Sequence, residues 1–337
     1  MRLDRYRDAL RYGVFYALAR ADVESPTPID ATRTWRFWTK HRNQLTKFLA
    51  ENYPPQFISR LIIDATSHSR NLGDIVEHYD VSSDFFLLFL DERYHFYSCG
   101  DFHSPADTLQ QAQINKAEHF LSLLAPKPGD NLLELGCGWG AMMKFLRDRM
   151  GNSVTLKGIT ISNAQARFIR QKYGFDVTVE NFVTREYPLS QYDRIYSMGA
   201  WEHVRPGDVA PLLKKLYAAL KPRGCLVQQF GCAERPQTPA TLLLGELFFS
   251  GFVLTTFRDQ IAAAEAAGFR LVHDSSHDYR PSWKAWYDRL ATHRDEAVRL
   301  VGVREYNRYL MLFVLAWKFI DEKYATIHRL AFEKPGA

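Results

Sequence analysis

The feature that most constrains this chain is an alternation of short apolar runs with amphipathic stretches, which begins at Leu132. The run NLLELG is followed in turn by AMMKFLRDRM, VTLKGIT, NAQARFIRQKYG and DVTVEN. Short apolar runs predict buried strands, and longer stretches with apolar residues at helical spacing predict helices. Strands that alternate with helices form βαβ units, so the pattern predicts a mostly parallel sheet with crossover helices on its faces.

The same alternation continues to the end of the chain. The apolar runs YDRIYSMG, CLVQQFG, FRLVHDSS and TIHRLAFEK bring the predicted strands to seven. We therefore predict one α/β domain over residues 76–337, with a seven-stranded, mostly parallel sheet and flanking helices. An insertion rich in Leu and Phe interrupts it around residues 232–257. Residues 1–75 have helical spacing punctuated by prolines, which predicts an N-terminal helical arm.

Composition is that of an ordinary globular protein. Hydrophobic residues make up 46% of the chain and charged residues 24%, which argues against disorder, collagen-like repeats and a multi-span membrane protein. The four cysteines form no CxxC pair, so we predict neither a disulfide framework nor a metal site, and a cytoplasmic location. No stretch reaches the ~20 apolar residues that a membrane-spanning helix needs.

The net charge of +5 is concentrated in the arm. Residues 1–60 hold 11 of the 43 basic residues and 6 of the 38 acidic ones, so the remainder of the chain is balanced. A solvated helix face is the commoner reason for such an excess, and contact with anionic lipid is the alternative, which would place the protein at the inner membrane surface. We predict no nucleic-acid partner, and the sequence leaves open whether the chain forms a homo-oligomer.

A glycine-rich turn, Gly136-Cys137-Gly138-Trp139-Gly140, follows the first predicted strand. In an open α/β sheet this turn lies beside the ligand crevice. A dinucleotide site would space its glycines as GxGxxG and would have an acidic residue at the end of the second strand. Here the spacing is GxGxG and that strand ends in Thr160, so the sequence disfavours an NAD-dependent oxidoreductase.

Several further blocks define a family resemblance. In chain order they are His78-Tyr79-Asp80, Asp84-Phe85-Phe86, residues 88–91, Tyr97-Ser98-Cys99, residues 133–140, Gly158-Ile159-Thr160 with Gln165, and Glu202-His203. With these blocks the chain resembles the cyclopropane fatty acid synthase and mycolic acid cyclopropane synthase family of S-adenosylmethionine-dependent methyltransferases, from about His78 to the C-terminus. The resemblance implies a Rossmann-like class I methyltransferase fold and S-adenosylmethionine as the cofactor.

The resemblance also implies where the cofactor binds. Backbone N–H groups of a glycine turn suit the carboxylate of S-adenosylmethionine, and aromatic faces and carboxylates suit its sulfonium. Trp139 and Glu202 are residues of a type that can contact the sulfonium, although Trp139 could equally pack between helix and sheet. The expected pocket residues are Tyr97, Ser98, Gly136, Gly138, Trp139, Thr160 and Gln165, with Glu180 or Asn181 near the adenine.

Members of this family let an alkene of a lipid chain attack the sulfonium methyl, and a bound bicarbonate then removes a proton from the resulting carbocation. The resemblance implies that the bicarbonate contacts fall on Cys99, Glu202, Gln229, Gly231 and Tyr279. Gln229 and Gly231 stand where the family has His and Ile. Glutamine can donate a hydrogen bond to an anion but cannot carry a positive charge, so we predict weaker bicarbonate binding.

Several alternatives stay open at the sequence level. His203, beside Glu202, could act as a general base in its own right. Residues 242–257 could cover an acyl or isoprenoid chain or could simply be core. We predict methyl transfer to an alkene of a hydrophobic acyl or other lipid substrate, with a cyclopropane, methyl-branched or methylene product. The alternatives are a C- or N-methyltransferase of an isoprenoid or other small natural product, and a non-catalytic lipid-binding protein.

Overall fold

The structure is a computed structural model that describes residues 17–40, 83–233 and 254–336. The described residues belong to two compact units. The first contains residues 17–40, 83–89 and 283–325, and the second contains residues 90–233, 254–282 and 326–336. Most of the predicted arm, the block His78-Tyr79-Asp80 and most of the insertion around residues 232–257 lie outside the described residues, so the predicted domain boundaries stay predictions.

A seven-stranded sheet forms the centre of the second unit. Its order is β3-β2-β1-β4-β5-β7-β6. Strands β1 to β5 pair in parallel, and β7 runs antiparallel to β6, which confirms the predicted mostly parallel α/β sheet. The strands are β1 (Asn131–Leu135), β2 (Thr155–Thr160), β3 (Asp176–Val179), β4 (Tyr192–Met198), β5 (Leu220–Ala233), β6 (Arg270–His277) and β7 (Ala325–Glu333).

Helices cover both faces of this sheet. One core cluster contains Met143 and Phe145, and a second contains Leu212 and Leu216. Three of the helices begin at a Ser or Thr whose side chain accepts a hydrogen bond from the backbone N–H three residues later, which fixes their first turn. The helices are α3 (Leu109–Leu124), α4 (Ala141–Met150), α5 (Asn163–Tyr173), α6 (Pro206–Ala219) and α7 (Phe257–Ala266).

The described part of the first unit is helical. Its helices are α1 (Ala31–Lys40), α2 (Ser83–Leu87), most of α8 (Arg280–Thr292) and α9 (Arg294–Asp321). Trp35 of α1 packs against Tyr287 and Trp317, with ring centroids 4.7 and 5.4 Å apart. No helix among the described residues is long and apolar enough to cross a bilayer.

Candidate active site

Every predicted site residue lies in the second unit, and most of them follow the carboxyl ends of strands. The glycine turn connects β1 to α4. Gly136 has φ +72°, and a Cβ added there would lie 2.3 Å from the Cβ of Ala200, so this glycine lets the turn approach the loop after β4. Gly138 has φ +52°, and its added Cβ would meet no atom of the described residues within 4 Å. The turn is therefore tightly packed on one side and open on the other.

The ends of β2 and β3 carry the next group of predicted residues. Thr160 is buried, and its hydroxyl donates to Oε1 of buried Gln165 at 2.6 Å. The backbone N–H of Glu180 donates to the carbonyl of Thr160, so the residue after β3 lies beside the end of β2. The Glu180 side chain is exposed and pairs with Arg185, and Asn181 Oδ1 accepts from the N–H of Val183. Thr160, Gln165 and Glu180 are thus brought to one edge of the sheet.

Trp139 packs against α5. Its side chain is buried, and its ring lies edge-on to Phe168 with the centroids 5.4 Å apart. This contact agrees with packing between helix and sheet, which was one of the two interpretations of its sequence position. A role of Trp139 in cofactor binding stays a prediction.

The segment Tyr97-Ser98-Cys99 is held by a turn that Asp91 organises. Both carboxylate oxygens of Asp91 accept hydrogen bonds from the backbone, namely from the N–H groups of Tyr94, His95 and Phe96. Asp91 is 1% exposed, and such a buried carboxylate is stabilised by several N–H donors. This contact explains why an aspartate ends the sequence block at residues 88–91.

Ser98 is fixed at both of its polar groups by α3. Lys116 Nζ donates to its hydroxyl at 2.8 Å, and Gln113 Nε2 donates to its carbonyl at 2.9 Å. Lys116 is fully buried, with Nζ 3.6 Å from the centroid of the Phe96 ring, and burial lowers its pKa to about 7. Sequence analysis missed Gln113 and Lys116. Their spacing of three residues on one helix face was the available signal.

Cys99 and Gln229 are joined directly. Gln229 Nε2 donates to the carbonyl of Cys99 at 3.2 Å, and Gln229 is 1% exposed. The Cys99 thiol donates to the carbonyls of Gly100 and Asp278, each at 3.6 Å. Burial, reinforced by the nearby Asp101 carboxylate, raises the pKa of this thiol, so Cys99 is a neutral thiol. The contact with Asp278 also brings Cys99 beside the backbone that leads to Tyr279.

Glu202 lies in a 3-10 turn, Trp201–His203, just after β4. Its Oε1 accepts a 2.7 Å hydrogen bond from the N–H of Gly231 in β5. Its Oε2 is buried and has no hydrogen-bond partner in the described part of the chain. Burial raises the pKa of this carboxyl to about 7, against a smaller lowering by the Gly231 N–H. His203 follows in the same turn and is half-buried, and its role stays a prediction.

A hydrogen-bond chain anchors the turn that carries Glu202. Trp201 Nε1 donates to Gln260 Oε1 at 2.9 Å, and Gln260 Nε2 donates to Gln228 Oε1 at 3.0 Å. All three side chains are buried. The neighbouring Gly199 N–H donates to the Gln229 carbonyl, and a Cβ added at Gly199 would lie 3.5 Å from the Cβ of Ser98. The loop after β4 is therefore packed against the Tyr97-Ser98-Cys99 segment.

A buried ion pair that sequence analysis did not find lies behind Gln229. Arg329 of β7 is fully buried and donates to both oxygens of Asp101, at 2.9 and 3.0 Å. Its Nη2 also donates to Gln229 Oε1 at 2.6 Å. Burial alone would raise the pKa of Asp101, but hydrogen bonds from His277 and Arg329 hold that pKa well below its usual range. Asp101 and Arg329 are 228 residues apart, so no local pattern connects them.

Sheet order, the glycine turn after β1 and the cluster at the ends of β2, β3 and β4 define a class I methyltransferase fold. The family model for mycolic acid cyclopropane synthetase matches residues 66–330. The chain therefore belongs to the mycolic acid cyclopropane synthetase family, which confirms the resemblance predicted from the sequence blocks. It is an S-adenosylmethionine-dependent methyltransferase.

Curated relatives and solved structures agree with this assignment. Hydroxymycolate synthase MmaA4 of Mycobacterium tuberculosis is 28% identical over 298 residues, which cover 82% of this chain and 97% of that protein. The structure of the cyclopropane synthase MmaA2 from Mycobacterium tuberculosis has a TM-score of 0.72 at 27% identity and covers 79% of this chain and 99% of that one. The structure of mycolic acid cyclopropane synthase CmaA1 complexed with SAH and CTAB has a TM-score of 0.71 at 26% identity, covering 78% and 98%.

Proposed function

We propose that the chain transfers a methyl group from S-adenosylmethionine to an alkene carbon of an acyl or other lipid substrate. The observation that carries this proposal is the position of Glu202, in the loop that packs against the Tyr97-Ser98-Cys99 segment. One oxygen of its carboxylate is buried and has no hydrogen-bond partner among the described residues. Relatives named for mycolic acid cyclopropanation, and a CmaA1 complex that contains SAH, support both the cofactor and a hydrophobic substrate.

The residues present fit S-adenosylmethionine. The side of the glycine turn at Gly138 is open among the described residues and leaves room for a ligand. The N-cap residue of α4 is Gly140, which has no side chain to cap the helix, and this favours a carboxylate there. Glu180 or Asn181, after β3, is suited to lie near the adenine, and the Thr160 and Gln165 pair borders the same edge. Tyr97, Ser98, Gly136, Trp139 and Asn181 complete the proposed cofactor site.

S-adenosylmethionine supplies a methyl group activated by a sulfonium when it is bound. The chain's own residues have three tasks: to orient the acceptor alkene, to exclude water from the cation it becomes, and to take up a proton. Glu202 is suited to the last task because its Oε2 is a buried acceptor. We keep Cys99, Tyr279, His203 and Gln229 as the other proposed residues of the reaction site.

Calorimetric titration with S-adenosylmethionine and its demethylated product tests cofactor binding. Mass spectrometry of total lipid then compares cells that express the wild type with cells that express Glu202→Gln. We expect micromolar or tighter binding and a lipid species that gains one CH₂ unit only with the wild type. NMR of that lipid identifies a cyclopropane, methyl-branched or methylene product. Absence of binding would contradict the proposal.

The second candidate is a C- or N-methyltransferase of an isoprenoid or other small natural product. The observation that favours it is Gln229, which replaces the histidine of the cyclopropane synthase pattern. Binding of S-adenosylmethionine without any lipid change would support this candidate, and purified isoprenoid and amine acceptors would then be assayed directly.

Gly138→Ala is expected to weaken cofactor binding more than it weakens the fold. The added methyl group would point into the open side of the turn, and a non-glycine residue at φ +52° costs about 1–2 kcal/mol. We expect at least a roughly tenfold loss of affinity, measured by calorimetry. Gly174→Ala is the matched control, since Gly174 has φ +69° and an equally open Cβ position but lies in the C-cap of α5. Equal affinity losses in both variants would contradict the cofactor assignment.

We also propose that the basic face of α1 contacts anionic lipid. Arg33, Arg36 and Lys40 are exposed at helical spacing, and Phe37 between them is 41% exposed. Each basic residue near an anionic surface contributes about 1 kcal/mol, so replacing all three by Gln should weaken sedimentation with phosphatidylserine vesicles about 100-fold. Lys127, Arg167 and Lys214, all exposed in the second unit, give the control triple variant. An equal loss of vesicle binding in the control variant would indicate that binding depends on net charge alone and not on α1.

A further inference from the structure

Four of the groups that the family pattern assigns to a bicarbonate ion, Cys99, Glu202, Gln229 and Gly231, make hydrogen bonds within this protein. The Gly231 N–H donates to Glu202 Oε1 at 2.7 Å, so the backbone donor expected to face the anion faces a carboxylate. The Cys99 thiol donates to two backbone carbonyls. An anion needs donors or positive charge when it is buried, and these two donors are already used.

Gln229 is fixed at both ends of its amide. Its Nε2 donates to the Cys99 carbonyl, and its Oε1 accepts from Arg329 Nη2 at 2.6 Å and from Arg329 Nε at 3.2 Å. Arg329 in turn is held by both oxygens of Asp101. We call Asp101, Arg329 and Gln229 the buried brace. To turn toward an anion, Gln229 would have to give up charge-assisted hydrogen bonds that are strong in a buried site.

In the ionised form that proton removal requires, Glu202 makes a second anion unfavourable at this place. An ionised carboxylate has no proton to donate to an anion, and the buried Oε2 of Glu202 has no hydrogen-bond partner in the described ranges. Two anions side by side in a poorly hydrated site repel each other strongly unless donors separate them. Bicarbonate therefore does not fit among Cys99, Glu202, Gln229 and Gly231 as they are arranged here.

We propose that this enzyme removes the proton without bicarbonate: Glu202 Oε2 is the direct proton acceptor, and the buried brace makes Gln229 a positioning residue that holds the Cys99 segment. This inference rests on the proposed methyl transfer to an alkene. It assigns to Glu202 the task that the family pattern gives to a bound anion.

The proton-removal step is balanced with the residues present. A C–H bond of the methylated acceptor cation breaks, and its proton forms an O–H bond with Glu202 Oε2. The electron pair of that C–H bond forms a C–C bond if the proton comes from the new methyl group, which closes a cyclopropane. It forms a C=C bond if the proton comes from a neighbouring carbon. Glu202 then returns the proton to solvent.

Bicarbonate dependence of the rate is the first test. Release of SAH is followed with purified wild-type enzyme in buffer purged of carbon dioxide, and again with added bicarbonate up to about 10 mM. We expect the rates to agree within about twofold, because no step uses the anion. A saturable rise of about tenfold or more on addition of bicarbonate would overturn the proposal.

Binding of bicarbonate is the second test, and it needs no turnover. Carbon-13 NMR of labelled bicarbonate is recorded with the protein saturated with SAH, and we expect no saturable line broadening. Binding with a Kd below about 1 mM would overturn the proposal whether or not a lipid acceptor has been found. Failure to find any alkene acceptor would instead overturn the proposed function and, with it, the role of Glu202.

The Glu202→Gln variant completes the test. We expect it to stay inactive at every bicarbonate concentration, because an amide cannot take the proton. Restoration of about a tenth or more of the wild-type kcat by bicarbonate would show that the anion is the base. Retention of that much activity without bicarbonate would exclude Glu202 as the acceptor.

Discussion

Glu202→Gln is expected to lower kcat about 10²- to 10⁴-fold while KM for the lipid changes little. This range is the usual contribution of a positioned general base, and the amide keeps the size of the side chain and an acceptor for the Gly231 N–H. Steady-state assays of SAH release measure both constants. An unchanged kcat would exclude Glu202 from the chemistry.

The same carboxyl should give the wild type a pH dependence that the variant lacks. Burial raises the pKa of Glu202 to about 7, so kcat/KM should fall tenfold per pH unit below that value as the base becomes protonated. As the pH rises, the contribution of this carboxyl to the stability of the fold decreases while the activity increases. Because the folded-state pKa lies above the ordinary 4.5, the contribution of this group to stability is present below pH 4.5 and is lost as the pH rises through 7.

Above pH 7, Glu202→Gln should therefore raise the free energy of unfolding by on the order of 3 kcal/mol relative to the wild type. The difference should disappear at low pH, where Glu202 is uncharged in both states. Urea unfolding of both proteins at pH 5 and pH 8 measures this difference. Glu134→Gln is the matched control: Glu134 is also buried, its pKa is raised to about 8 by burial, and it accepts from the Tyr196 hydroxyl. The control should show a comparable change of stability with pH, because its carboxyl is buried in the same way. Absence of the pH-dependent difference in the Glu202→Gln variant alone would contradict the raised pKa of Glu202.

Much of the fold could be predicted because the spacing of apolar residues that marks a strand or a helix can be recognised within a short stretch of sequence. The runs that predicted β1 and β2 match the observed strands closely, and GxGxG marked the turn where Gly136 and Gly138 have positive φ. The start of β5 was harder to predict from the sequence. The strand begins at Leu220, before Pro222, because residues there pair with β4 across a register shift that no apolar run reveals.

The candidate site was predictable where sequence blocks carry it and not where distant residues meet. Tyr97-Ser98-Cys99 and Glu202 could be proposed from short blocks. Lys116 could not, because a lysine on a helix is ordinarily solvated and only the fold shows that this one is buried against Ser98. The hydrogen bond from Arg329 to Gln229 likewise could not be predicted, because it depends on the sheet order that places β7 beside β5.

The buried brace should couple strongly in a double-mutant cycle. Asp101→Ala leaves the Arg329 cation buried without its carboxylate, and Arg329→Met leaves the Asp101 carboxylate without a guanidinium, beside His277 at 3.1 Å and His119 at 3.8 Å. Removal of one partner from a buried ion pair costs about 3–5 kcal/mol, whereas replacement of both partners by apolar groups is often nearly neutral. We therefore expect each single variant to lose about that much unfolding free energy and the double variant to recover at least about 2 kcal/mol.

Urea unfolding of the four proteins measures the coupling, and an exposed pair provides the control. Glu296 and Arg299 lie 3.4 Å apart on α9 with 50% and 70% of their side chains exposed, so Glu296→Gln should change stability by less than about 1 kcal/mol. Additive losses at Asp101 and Arg329 would show that the two side chains stabilise the protein independently. Strong coupling would show that β7 and the segment after Cys99 are held together by one charge pair. That pair fixes Gln229 and, through it, the backbone beside the proposed reaction site.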